Sequence, residues 1–434
     1  MSVDDISARR RRDIVDALRR GVVPSNGLDA LAVGLDRFVA ALDEDLDRAA
    51  GGGSVFKAVR GEYGAGKTFF TRWLAERAKR RGFAAAEVQI SEVETPLHRM
   101  ETVYRRLVEH LGTEQFVPSA LRPVLDGWIF ALEEDVLAGG EIAEDDADGL
   151  DRAVGELLER RLGEISRSTP GFAAALRGYR SATARGDRIS ADGLAAWLGG
   201  QPHVAAAVRR SAGVKGDLDH FAALSFLQGL LTVLRDSGHR GLLLVLDEVE
   251  TLQRVRSDVR DKALNALRQL IDEVHAGRFP GLMLIITGTP AFYDGPQGAS
   301  RLAPLAQRLA TDFGGNPRWD NPRAVQVRLP GFDLDRLVEL GIRARDIYGS
   351  PRVDGRIDDA YLGILARAVT GRLGGQVGVA PRVYLKKLVA DVFDRVDQFD
   401  DWNPREHYEL TVRADELTDV ERNAASADDV ELRL

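Results

Sequence analysis

Residues 61–68 read Gly-Glu-Tyr-Gly-Ala-Gly-Lys-Thr and satisfy the pattern G-x-x-x-x-G-K-[ST] at every fixed position. The pattern constrains the fold as much as the ligand. Glycines let the backbone curl until successive N–H groups point inward at phosphate oxygens, and a helix starting at the loop's end adds its positive dipole. The loop therefore has to stand between a strand and a helix. Its flanks comply, since 54–60 (Ser-Val-Phe-Lys-Ala-Val-Arg) reads as a short strand and 69–81 has helical periodicity. Gly61, Glu62, Tyr63, Gly64, Ala65, Gly66, Lys67, Thr68 and the adjoining Phe69 form the candidate nucleotide-binding segment. Lys67 would carry positive charge to the β- and γ-phosphates. Thr68 would place a hydroxyl on Mg²⁺, the small hard cation that usually accompanies a triphosphate.

Composition narrows the setting. A chain of 434 residues with 44% hydrophobic and 29% charged residues is long enough for two or three units with a proper core. Cysteine is absent, which excludes disulfides and thiolate metal sites and makes the cytoplasm the expected compartment. The start is charged and carries Arg9 to Arg12 with no apolar core behind them, unlike a secretory signal. The longest apolar run, 242–246, is too short to span a bilayer, so no membrane partner is expected. A net charge of -8 argues against a protein that coats nucleic acid by bulk charge, while leaving a local basic surface open.

In chain order, 13–20 predicts an amphipathic helix ended by Gly21, and 34–49 a second that stops at Gly51-Gly52-Gly53. Val33, Gly34 and Leu35 are candidates for contact with the base of a nucleotide, with simple helix packing as the alternative. A core strand is expected at 83–90. From about 95 to 234 strand-like runs vanish and helical patterns such as 100–111, 153–165 and 221–234 take over, the mark of a large helical insertion offering a partner surface. The acidic stretch around Glu141, Glu144, Asp145, Asp146 and Asp148 reads as a solvated loop, with metal binding as the lesser alternative.

The run 241–248, Gly-Leu-Leu-Leu-Val-Leu-Asp-Glu, is what a buried parallel strand looks like when its C-terminal end meets a ligand crevice. Asp247 would hold Mg²⁺ through water and Glu248 would polarise the attacking water. A helix at 264–274 and a strand at 281–286 follow. Thr287 is the first candidate for a polar residue beside the γ-phosphate and Thr289 the second, with an ordinary turn role open for both. A helix at 303–309 carries Arg308, a strand is expected at 324–329, and Pro330-Gly331 breaks the chain. Helical patterns return at 334–348, 358–369 and 381–393. The last of them opens with Pro381 at a first-turn position and Arg382 near the helix N-terminus, from which it would reach back to a nucleotide. The tail from Trp402 to Leu434 is charged and acid-rich, and its last dozen residues are expected to be mobile.

This order of phosphate loop, strand, helical insertion, Asp-Glu strand, Thr-ended strand, arginine helix, fifth strand and Pro-Arg helix resembles the AAA+ ATPases. The nearest branch contains the origin-recognition and Cdc6-like proteins. A closer resemblance is to BrxD, the ATP-binding protein family of BREX phage-defence systems. It is carried by Leu18-Arg19-Arg20-Gly21-Val22-Val23-Pro24, the Val33-Gly34 step, 60–69, Thr95-Pro96-Leu97-His98 and Val379-Ala380-Pro381-Arg382. The resemblance implies an α/β AAA+ P-loop core of three layers with a five-stranded parallel sheet. Its expected divisions are an N-terminal helical arm (1–50), a nucleotide-binding core (51–330, with the insertion at 95–234), a helical lid (331–400) and an acidic tail (401–434).

The resemblance also implies an ATPase that binds ATP and Mg²⁺, forms a homo-oligomer and acts on DNA beside a helicase-like protein of the same defence system. Carried over by residue, Lys67 and Thr68 bind nucleotide and Mg²⁺, and Asp247 and Glu248 form the acidic pair. Thr287 becomes a sensor after the fourth strand and Arg382 a sensor in the lid. Arg308 becomes the arginine finger for a neighbouring subunit's ATP, although Arg301 is nearby and a surface salt bridge is an equal account of either. Glu62 and Tyr63, which the bare pattern leaves free, tie the loop to the defence family. One departure stands out: origin-recognition proteins carry a winged-helix DNA reader after the lid, and the residues after Asp400 are too few and too acidic to form one.

Overall fold

The computed structural model describes residues 6–116, 118–140, 146–373 and 381–417. It is an α/β protein whose five strands, β1 (Val55–Arg60), β2 (Ala84–Gln89), β3 (Leu242–Asp247), β4 (Leu282–Gly288) and β5 (Gln326–Arg328), form one parallel sheet in the order β2-β3-β4-β1-β5. All five expected strands are present, each trimmed or shifted by one or two residues. Every residue of β3 and β4 is buried, which is why their sequences run apolar without alternation. Leu242 to Leu246 are each at most 2% exposed. Burying such a side chain is worth about 1.5–3 kcal/mol, so these few residues anchor the sheet centre.

Register decides what happens at the strand ends. β2 pairs with β3 from Ala84 opposite Leu242 to Gln89 opposite Asp247, and β3 pairs with β4 from Leu242 opposite Leu282 to Leu246 opposite Ile286. The last residues of β2 and β3 therefore lie side by side, and Glu248 and Thr287 follow at the same C-terminal edge.

The chain divides into two compact units, one of Met1–Ala41, Val59–Glu76 and Asp312–Leu434, the other of Leu42–Ala58 and Arg77–Thr311. In the second unit the stretch between β2 and β3 is helical, as expected, and among the described residues it holds no strand beyond the isolated bridge of Ala85 with Gly112. It comprises Met100–His110, Leu121–Ala138, Ala147–Arg161, Gly163–Ser168, Pro170–Ala184, Arg188–Leu198, Ala206–Ser211 and His220–Asp236. The single helix expected over 153–165 is two, because the backbone departs from regular helical geometry at Leu162, where ψ is -6°. Phe226 centres the core of this region, with ring centroids of Tyr104, Phe172 and Trp197 at 5.8, 5.1 and 5.3 Å. Of the acidic stretch, residues 141–145 lie outside the described residues. Asp146 caps the next helix by accepting the Gly149 N–H at 2.9 Å.

In the first unit the helix Ala8–Arg20 begins five residues earlier than its periodicity suggests. Ser7 Oγ accepts the Arg10 N–H at its N-terminus, and Gly21, at φ 70°, ends it. Ile14 and Leu18 enter one apolar cluster with residues from Leu334–Tyr348, Asp359–Arg372 and the segment after Pro381. The helix expected over 381–393 is α-helical only to Lys386 and widens into a π-helical turn over Lys387–Phe393. Beyond Asp400 the chain stays docked: Trp402, Tyr408, Leu410 and Val412 pack against the same cluster and Leu417 is buried in it. Residues 418–434, for which mobility is expected, lie outside the described residues.

Candidate nucleotide site

The phosphate loop sits where its pattern requires, between β1 and the helix Lys67–Arg80. Gly64 and Gly66 adopt φ of 79° and 87°, backbone that an L side chain rarely takes and that turns the loop's N–H groups inward. Gly61 is needed for closeness: a Cβ there would stand 3.1 Å from Ala65 Cβ and 3.4 Å from both Leu329 Cβ and Lys67 Cγ. Lys67 is only 8% exposed. Its Nζ donates to the carbonyl oxygens of Gly61 at 3.0 Å and Glu62 at 3.4 Å and lies 5.0 Å from the Tyr63 ring centroid. A buried ammonium lodged on the loop's own carbonyls, inside a cradle that a Cβ would fill, fits a polyphosphate group. Thr68 starts the helix, and its carbonyl accepts the Thr71 hydroxyl at 3.1 Å.

Two further residues of the same unit stand beside these elements. Phe332 lies within van der Waals reach of Gly66, 3.8 Å from where a Cβ would be, and Arg336 lies 3.5 Å from the corresponding point on Gly34. Gly34 itself is at φ 72°, while Val33 is buried in the apolar cluster against which Phe69 and Phe332 also pack. Sequence reading missed Phe332 and Arg336 because neither belongs to a motif. The only signal was their place just after the Pro330-Gly331 break.

The acidic residues are assembled by hydrogen bonds. Asp247 is buried and accepts the Thr287 hydroxyl. The Glu248 N–H donates to Asp247 Oδ1 and Thr287 Oγ1, both at 3.1 Å. Glu248 occupies left-handed backbone at φ 60°, a conformation costing a residue with a side chain about 1–3 kcal/mol and found mostly where a site demands it. Its carboxylate is held by Gln89, whose Nε2 donates to Oε2 at 3.0 Å. Asp247, Glu248 and Thr287 are thus brought together. Thr289 instead caps the short helix Pro290–Asp294, where its carbonyl accepts the Phe292 N–H at 2.9 Å.

The candidate arginines are each engaged within their own unit. Arg308 pairs with Asp272 and donates to the Pro304 carbonyl at 2.6 Å, and Arg301 pairs with Asp261 and reaches Ser257 Oγ at 2.8 Å. Arg382 stands at the start of its helix and donates from Nη2 to the Glu416 carbonyl at 2.6 Å. Val379 and Ala380 lie outside the described residues. The segment at Thr95-Pro96 closes a loop on Ser91, whose Oγ accepts the Glu94 and Thr95 N–H groups at 3.1 and 2.9 Å. Desolvation lowers the pKa of His98 in that loop, and the neighbouring charges of Arg99 and Lys262 lower it further.

A parallel strand running into a G-x-x-x-x-G-K-T loop and then a helix, within a sheet of this order, defines a P-loop nucleoside-triphosphate-binding protein. A family model described as "BREX system ATP-binding protein BrxC/D" matches residues 6–412, and the chain belongs to that family. No curated protein matches the chain. The match bears out the resemblance to the BREX family and gives the chain an ATP-binding role in phage defence. No described helix is long and apolar enough to cross a membrane.

Proposed function

We propose that the protein is an AAA+ ATPase that binds ATP with Mg²⁺, hydrolyses it, and through a nucleotide-dependent homo-oligomer acts on DNA beside a helicase-like protein of its BREX system in the cytoplasm. The observation that carries the hydrolytic reading is the strained, hydrogen-bonded Glu248. A carboxylate that served only as surface charge would not need left-handed backbone held by Asp247 and Thr287. The strand order and the helical segments after residue 331 support the AAA+ assignment, with 331–400 as lid, 1–50 as arm and 95–234 as insertion.

The roles follow from chemistry. ATP supplies the phosphoanhydride and Mg²⁺ neutralises its charge; Lys67 and the loop N–H groups bind the phosphates, and Thr68 and Asp247 hold the metal. Glu248 polarises the attacking water and Thr287 fixes Asp247. Val33, Gly34, Phe332 and Arg336 flank the base. Arg382 and either Arg308 or Arg301 serve as cationic sensor and as finger toward a neighbouring subunit, each first leaving its present partner. Measuring phosphate release by the purified protein, with and without DNA, tests this directly. Wild type should turn over and Glu248→Gln should retain ATP with turnover reduced by at least about 100-fold. Equal turnover in the two proteins would break the assignment of Glu248.

A second reading, an ATP-held switch with incidental hydrolysis, is favoured by the intramolecular partners of Arg308 and Arg301. Under it Glu248→Gln would keep phage defence in cells while Lys67→Ala would lose it.

A further inference from the structure

The loop ahead of β5 presents one large aromatic side chain to solvent on a rigid base. Trp319 is 76% exposed, and the Arg318 guanidinium lies over it at 5.2 Å from its ring centroid. Two local turns set its pose: Asn316 Oδ1 accepts the Arg318 N–H at 2.9 Å and Asn321 Oδ1 accepts the Arg323 N–H at 3.0 Å. Below them Arg328 grips the buried Asp320 carboxylate through two bonds of 2.8 and 2.7 Å, and reaches the Gly314 carbonyl at 3.1 Å. Phe313 is stacked by two guanidiniums, those of Arg60 and Arg328, each 5.0 Å from its centroid. The backbone that carries this exposed tryptophan is fixed by these bonds, so part of the entropy of ordering it for a ligand is already spent in folding.

We infer that this loop is a contact for single-stranded nucleic acid, with a base stacking on Trp319 and phosphates met by Arg318 and Arg323. Charge points that way. The one acid within 314–323, Asp320, is buried in its pair with Arg328, so the exposed charged side chains of that stretch are both arginines. Composition agrees: the same ten residues are Gly-Gly-Asn-Pro-Arg-Trp-Asp-Asn-Pro-Arg, with no aliphatic side chain to build the apolar centre of a protein interface. Aromatic stacking beside guanidinium groups is the recurring chemistry of single-strand binding, and it requires bases free of a partner strand. The inference deepens the DNA part of the proposed function and rests on it, without depending on hydrolysis.

The test uses the full chain and a labelled oligo(dT) of about twenty nucleotides, read by fluorescence anisotropy at two salt concentrations, with an oligo(rU) arm to compare DNA and RNA. Trp319→Ala should weaken binding by about 10-fold or more, with Trp319→Phe in between. Arg318→Ala should lower the slope of log affinity against log salt by about one. Affinity for a fluorescent ATP analogue and the thermal midpoint should stay at wild-type values in all three, which separates loss of this contact from loss of the nucleotide site or of the fold. A wild-type protein that does not retain either oligonucleotide overturns the inference. So does a Trp319→Ala variant that binds like wild type, or one whose only change is the mass of the assembly, since the loop would then be a contact between protein chains.

Discussion

The phosphate loop and the acidic strand ends are built in opposite ways. The loop is a backbone device: Gly64 and Gly66 set its curl, Gly61 sets its closeness, and Lys67 leans on the loop's own carbonyls. The acidic cluster is a side-chain device, in which Asp247, Glu248, Thr287 and Gln89 come from three strand ends and hold one another by hydrogen bonds. Backbone devices need particular residues at consecutive positions, so they are written in the sequence as a pattern. Side-chain devices need only that register bring polar groups together, and their members are far apart in the chain. The difference teaches where each is fragile. The loop is fragile at its lysine and at the glycines whose conformation or closeness a side chain would disturb, whereas the acidic cluster spreads its hydrogen bonds over several partners.

Lys67→Ala is expected to produce the largest effect on nucleotide affinity. It removes the one formal positive charge of the loop from the phosphates, and a charge-assisted contact of about 2–3 kcal/mol corresponds to a 30- to 150-fold weaker affinity for an ATP analogue by calorimetry. A loss below about threefold would show that the main-chain donors carry the phosphates alone and would break the comparison on its first side.

Next in size is a stability effect on the unit that holds the loop. Glu416 is partly buried, which by itself would raise its pKa. The bonds it accepts from Lys387 at 2.8 Å, from the Arg413 N–H at 3.2 Å and from Lys386 at 3.2 Å outweigh burial and bring it down to about 2. A carboxylate depressed in the folded protein contributes stability above its unfolded pKa of about 4.5, and loses it as pH falls toward the folded value. Glu416→Gln should cost about 2 kcal/mol at pH 7 after allowance for solvent screening, and the gap from wild type in urea unfolding should close as pH approaches 2. A gap that stayed constant with pH would mean the residue acts through packing rather than charge. Because its carbonyl also holds Arg382, the same variant reports whether docking of 413–417 restrains that arginine.

On the acidic side, Thr287→Val keeps the shape of a buried residue and removes one hydroxyl. Asp247 loses a donor and the Glu248 N–H loses one of its two acceptors, so a fall in turnover of about 10-fold with unchanged affinity for ATP is expected from steady-state kinetics. Thr289→Val, whose hydroxyl makes no bond within that cluster among the described contacts, should leave turnover within about twofold. If the two variants behaved alike, Thr287 would be a packing residue.

Legibility followed the same division. The strands were readable because β3 and β4 are buried along their whole length, which leaves continuous apolar runs such as Leu242 to Leu246. Several helices between β2 and β3 were not, because their sequences answer to packing rather than periodicity. Pro170–Ala184 includes Gly178, a weak helix former, where a Cβ would come within 2.5 Å of Ala212 Cβ. The π-helical turn over Lys387–Phe393 was equally hidden: its residues suit an α-helix, and only the fold around Lys387, with its bonds to Asp391 and Glu416, shows the widened turn. Asp247, Glu248 and Thr287 stand at strand ends that the sequence marks, with Thr287 as first candidate and Thr289 as second, and the structure bonds Thr287 to Asp247 and to the Glu248 N–H.

Gln89 is the member of the acidic cluster that sequence could not single out, since a glutamine ending a strand has no distinguishing mark. Register supplies its meaning, by setting Gln89 opposite Asp247 and so beside Glu248. Its amide donates to Glu248 Oε2 at 3.0 Å. The bond restrains the carboxylate that, in the proposed reaction, would reach an attacking water. Gln89→Ala removes that restraint without touching the loop. Turnover in the absence of DNA is thus expected to rise by about threefold, with affinity for an ATP analogue unchanged. A fall instead would make Gln89 the residue that aims Glu248, in which case Gln89→Asn, with a shorter arm and the same chemistry, should fall as well. Either sign with unaltered affinity keeps the two halves of the comparison separate, whereas a coupled loss of affinity would merge them.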